Sequence, residues 1–175
     1  QYDISAKIPV LVYDSHNDFE QTNATFGLID QGTAGFTEVF KNRMVLPFSG
    51  SYTQFRHVMH HELTHAVMFD MFYRREGGIS MAQRFWWAPP LWFVEGLAEY
   101  CSNTWTTEKD MWVRMGAING NLSLDGYQVY TAGHGLVRYL AERFGEDVVP
   151  RLVHTMAIRK DARAALLAVL GEPLE

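Results

Sequence analysis

From Ser51 to Arg75 the chain runs for 25 residues, "SYTQFRHVMHHELTHAVMFDMFYRR", with neither glycine nor proline. Strands rarely reach half that length, so the stretch predicts one long helix. It opens behind Ser49, Gly50 and Ser51, which suit a helix start, and the glycines of "EGGIS" predict its end. Four histidines, His57, His60, His61 and His65, and the glutamate Glu62 interrupt its apolar sequence. A buried imidazole or carboxylate without a partner costs several kcal/mol, on the order of the transfer penalty for a polar group. How this helix is buried therefore depends on what those five side chains pair with.

"HELTH" sets His61 and His65 four residues apart, which on a helix leaves them about 40° apart in azimuth and one turn apart along the axis. Both rings can reach one metal ion. Glu62 projects to the same side and cannot easily join as a third ligand, so it is set to act on a water at that metal, the mechanical content of the H-E-x-x-H motif. His57 stands one turn earlier on the same stripe, and the pair His57 and His61 is a competing ligand set. Only His61 and His65 enclose a glutamate, whereas His60 points away. A catalytic zinc takes three protein ligands and keeps one position open for water. "PLWFVEGLAEY" supplies Glu95 and Glu99, again four apart in an apolar segment. Glu95 is expected as the third ligand, and Glu99, one turn on, as acceptor for the free N–H of a liganding histidine, His61 first. An ordinary salt bridge or solvent-facing carboxylate is the other reading of Glu99.

"HELTH" followed by "PLWFVEGLAEY" resembles the gluzincin metallopeptidases, whose third ligand is the glutamate of a W-x-x-E-G-x-A-like motif, matched here by Trp92, Glu95, Gly96 and Ala98. The later "YTAGHGLVRYLAERFG" is similar to the Y-x-x-G helix of gluzincin aminopeptidases, with Tyr130 and Gly133 at the matching positions. "NRMVLPFSGSYTQFRHVMHHELTH" looks like the approach to the active helix in peptidase MA-like domains, including those that precede TolB-like β-propellers in bacterial envelope proteins. The resemblance covers about residues 36 to 145. It implies an α+β, thermolysin-like zincin fold, with a small N-terminal sheet over the active helix and a mostly helical C-terminal lobe. It implies a zinc-dependent metallopeptidase acting on a peptide or protein substrate, with Tyr130 donating a hydrogen bond to the tetrahedral intermediate. Tyr127, at the start of the same helix, is the rival for that role. No G-x-M-E-N-type segment, which the aminopeptidases use to hold a free amine, is present, so endopeptidase action is the expectation. The gap from His65 to Glu95 is longer than in those enzymes and implies an inserted loop. A periplasmic or cell-envelope location and neighbouring domains in a parent protein also follow from the resemblance alone. The alternative is a zinc-stabilised binding or scaffold module without catalysis, although such a module has no need of a general base beside its metal.

Around these motifs, "KIPVLVY" (7–13) reads as a strand, and Asp14 or Ser15 as the cap of a short helix reaching Thr22. "NATFGLIDQGTAG" is loop-like, and "GFTEVFKNRMVLPF" reads as two strands meeting near Lys41 and Asn42. "RMVLPF" is a candidate edge strand that could hold an extended peptide. A short helix is an option in "SMAQRFWWAPP". Helices are expected over 91–103, from Thr106 or Thr107 through Ile118, and over about 128–144, 147–158 and 161–170, with Gly171 as a C-terminal cap. One domain is expected, its sheet-rich lobe about 1–50 and its helical lobe about 51–175. The net charge of -5 argues against a nucleic-acid binder, which would carry a concentrated basic face. No run approaches the roughly 18 to 20 apolar residues of a membrane helix, and the single cysteine, Cys101, excludes an internal disulfide. Opening on Gln1, the chain reads as a processed or trimmed piece of something longer.

Overall fold

The computed structural model describes residues 3–4, 6–23, 29, 33–39, 41–75, 78–79 and 87–171. The fold is α+β and dominated by helix, with seven α-helices among the described residues and one three-stranded sheet. Two compact units divide the chain, Gln1–Ile79 and Ser80–Glu175. No described helix is long and apolar enough to cross a membrane.

In the first unit, β1 (Val10–Tyr13), β2 (Phe36–Glu38) and β3 (Arg43–Pro47) form a sheet in the order β1-β3-β2. β1 runs parallel to β3, pairing Val10 with Met44, and β2 runs antiparallel to it, pairing Phe36 with Val45. The strand expected at an edge, "RMVLPF", is therefore the central one. Its sequence carries the reason: Met44, Val45, Leu46 and Pro47 are all buried, and a strand covered on both faces reads as a continuous apolar run. β1 alternates instead, leaving Val10 and Val12 exposed.

β3 divides its side chains between two layers, because successive residues face opposite sides of a sheet. Val45 packs with Phe19 of the short helix α1 (His16–Glu20), among Leu11, Tyr13 and Phe36. Met44 and Leu46 pack with Ala66 of the long helix α2 (Tyr52–Tyr73), among Phe55, Val58 and Met59. Ser15 caps α1 by accepting from the Asp18 N–H. Asn42 takes φ 45° in the β2–β3 connection, a backbone conformation that asparagine tolerates better than most residues. After α2 the chain turns into a two-residue antiparallel ladder, β4 (Arg74–Arg75) with β5 (Gly78–Ile79), where the glycines predicted the helix to stop. The division of the chain falls after Ile79, so α2 belongs with the sheet-rich part.

The second unit is helical: α3 (Leu91–Ser102), α4 (Thr107–Ile118), a single 3-10 turn (Gly126–Gln128), α5 (Val129–Phe144), α6 (Val148–Arg159) and α7 (Ala162–Leu170). All five helices lie within a residue or two of their expected bounds. Thr106 and Asp161 cap α4 and α7 through their side chains, and Gly171 closes α7 with φ 77°. α3 packs on α5, and α6 on α7. Phe93, Leu97, Ala132, Val137, Leu140, Leu152 and Met156 are among the buried apolar residues. The loop expected over "NATFGLIDQGTAG" and the optional helix in "SMAQRFWWAPP" fall largely outside the described residues.

Candidate functional site

The four-residue spacing in "HELTH" brings His61 and His65 to one side of α2. His61 and His65 are buried on α2, and their Nε2 atoms face each other at 3.1 Å, with the rings nearly perpendicular at 82° and 4.7 Å between centroids. Two ligands held about 2.05 Å from one ion at a tetrahedral angle lie about 3.3 Å apart, close to that separation. His65 also stacks on Phe69, centroids 5.8 Å apart and 11° between planes, which fixes its ring plane. His57 lies one turn back, its ring 6.2 Å from that of His61. His60 is exposed, as its position on the far side of the stripe predicts.

Glu62 is buried at 6% exposure beside the two histidines in sequence, and one of its partners lies on the sheet. The Thr37 hydroxyl on β2 is 2.8 Å from Glu62 Oε2 and 2.9 Å from the Glu62 carbonyl oxygen, so its one proton is shared between two acceptors on the same residue. Sequence reasoning did not single out Thr37. Nothing in the motif points to it, because the contact spans 25 positions and depends on which strand lies beside α2.

In the second unit, α3 carries Glu95 and Glu99 one turn apart, half-buried and buried respectively. Glu99 Oε2 accepts from Asn103 Nδ2 at 2.9 Å and lies 3.5 Å from Lys109 Nζ. The helix places those partners beside it: Asn103 is its C-terminal cap, and Lys109 sits in the first turn of α4. Tyr130 occupies the second position of α5 and is 40% exposed, while Tyr127 in the preceding 3-10 turn is 93% exposed; their rings are 6.4 Å apart. Next to Tyr130 on the same helix, Gly133 meets Gly96 of α3 with almost no space between the backbones. A Cβ on Gly96 would lie 2.4 Å from the Gly133 carbonyl carbon, and one on Gly133 would lie 2.5 Å from the Trp92 oxygen. Only glycine fits at either position. The two glycines of the sequence motifs are thus where α3 and α5 touch, and they fix the relative placement of Glu95, Glu99 and Tyr130.

Two sets of side chains among the described residues could hold a metal ion, each residue offering one ligand atom: His61, His65 and Glu95, and His57, His61 and Glu99. The first is the set expected from sequence, and the second contains the competing histidine pair. Two imidazoles and one carboxylate are donors that suit a divalent cation of the first transition row and leave a coordination position for a small molecule. No family model, curated protein or solved structure matches the chain.

Proposed function

We propose that this protein is a zinc-dependent peptidase of the gluzincin type with a thermolysin-like fold, cleaving peptide bonds within a chain. The observation that carries the reading is the facing pair of imidazole nitrogens on α2, 3.1 Å apart, with a buried carboxylate between them in sequence. His61, His65 and Glu95 would hold the metal. When bound, zinc supplies a Lewis acid that acidifies water and polarises a carbonyl. Its fourth position is the one a catalytic site needs.

The chain's own residues do the rest. Glu62 takes a proton from the attacking water at a carboxylate oxygen and delivers it to the nitrogen of the departing amine. Thr37 holds one of those oxygens, so the carboxylate keeps one orientation through both transfers. Tyr130 donates a hydrogen bond from its hydroxyl to the developing oxyanion, a contact worth about 3 kcal/mol for a well-placed donor. Glu99, with Oε2 turned to Asn103 and Lys109, accepts the second ring N–H of His61 and holds that ring to its tautomer.

The test is metal analysis joined to digestion of a broad peptide library by the wild type and Glu62→Gln. The expected result is one zinc per chain in both and cleavage by the wild type alone. Undiminished turnover by the variant would remove the general-base assignment, and absence of cleavage by zinc-loaded wild type would favour the non-catalytic scaffold.

A further inference from the structure

Away from the residues assigned to the metal, the second unit contains a cavity of about 480 Å³ bounded by α3, the segment after it and α5. Its wall includes His134, which is 98% buried by its 2% exposure, yet whose Nδ1 has no hydrogen-bond partner among the described residues. The ring packs edge-on against Trp105 and Tyr100, with centroids 4.9 and 6.1 Å away. Burial first, then the charge of Lys109, with Arg138 adding to it and Glu99 opposing, lowers the imidazole to about 4. At neutral pH the ring is uncharged and retains a lone pair.

Three of the donors around this cavity, Arg138 Nε, the Asn103 amide and Trp105 Nε1, are already engaged. Arg138 Nε donates to Glu142 Oε1 at 2.8 Å, and its guanidinium lies 5.3 Å from the centre of the Trp105 ring, so its charge is matched within the wall. The Asn103 amide donates to Glu99, and its side-chain carbonyl oxygen has no hydrogen-bond partner among the described residues. Glu146 has no ion-pair partner among the described residues. Gly145, at the end of α5, also lines the cavity and brings the carbonyl-rich, partially negative end of that helix to it. What the wall offers a ligand is a set of acceptors, the Tyr100 hydroxyl, one net negative charge and two aromatic rings.

We propose that this cavity binds a guanidinium group, received by the acceptors of His134, Asn103 and Glu146 beside the rings of Tyr100 and Trp105. A planar, weakly hydrated cation with donors in a fixed fork matches acceptors set around an aromatic wall, and a carboxylate or phosphate does not. The site stands independently of the zinc reading.

Calorimetric titration of the full chain with Nα-acetyl-arginine amide, against its uncharged isostere Nα-acetyl-citrulline amide, tests it. The arginine probe should bind at one site and about tenfold more tightly than the citrulline probe, as expected for charge-assisted over neutral hydrogen bonds. Glu146→Gln, at an exposed position that leaves folding intact, should weaken it about threefold, and His134→Phe about tenfold. A chelator should leave the affinity unchanged. No binding, equal affinity for the two probes, undiminished affinity in Glu146→Gln, or loss of binding on chelation would each overturn the proposal, the last by assigning the probe to the metal.

Discussion

The hydroxyl of Thr37 has a single proton, and both oxygens it reaches belong to Glu62. Removing it leaves a buried carboxylate free to rotate beside the proposed metal. Thr37→Val should therefore reduce hydrolysis of the peptide library about tenfold, in line with the loss of a charge-assisted hydrogen bond, without changing zinc content. Thr37→Ser should restore most of it. Equal turnover by the valine variant would deny Thr37 a positioning role. His134 leads to a prediction about stability. Its folded-state value of about 4 lies below the ordinary 6.5, so the unfolded chain takes up a proton that the native state refuses. That difference is absent well above pH 6.5 and subtracts stability as the pH falls from 6.5 toward about 4. Thermal unfolding across that window should show a shallower loss in His134→Gln than in the wild type. At this scale the sequence disclosed that His61 and His65 face each other on α2, because side-chain spacing along a helix is a local property. It was silent on Thr37, whose contact depends on strand order.

Among the elements, the contact of α3 with α5 is the most sharply determined. Both helices carry a glycine at the crossing, and the Cβ positions tested there meet backbone, which cannot step aside as a flexible side chain can. Gly133→Ala should therefore destabilise the protein by about 3 kcal/mol, the upper end of the usual cost of overpacking. Denaturant unfolding measures it. A loss below about 0.5 kcal/mol, the scatter of ordinary surface changes, would mean the helices part freely. Helix starts and stops were largely readable in advance, since Ser15, Thr106, Asp161 and Gly171 are capping residues whose effect is exerted within one turn. The misplaced edge strand has the opposite origin. A five-residue apolar run announces burial, but which neighbours cover it is settled by pairing with segments distant in sequence, here β1 on one side and β2 on the other.

For the molecule as a whole, zinc held by His61, His65 and Glu95 would bind the native state and not the unfolded chain, and so add stability by mass action. At a free zinc concentration one hundred times the dissociation constant that gain is about 2.7 kcal/mol, enough to raise Tm by several degrees. Thermal unfolding with zinc and with a chelator should show the difference, and Glu95→Ala should lose most of it. An equal zinc response in wild type and Glu95→Ala would exclude Glu95 as a ligand and turn attention to the set containing His57 and Glu99. The α+β class, the helix positions and the two motif helices were all legible in the residues alone, because helical periodicity, caps and ligand spacing act over a turn or two of chain. The order β1-β3-β2, the hold of Thr37 on Glu62, the glycine-to-glycine crossing and the acceptor-lined cavity around His134 were decided only by tertiary structure. Each depends on which distant segments can close-pack against one another, a property of the folded whole that no local pattern encodes.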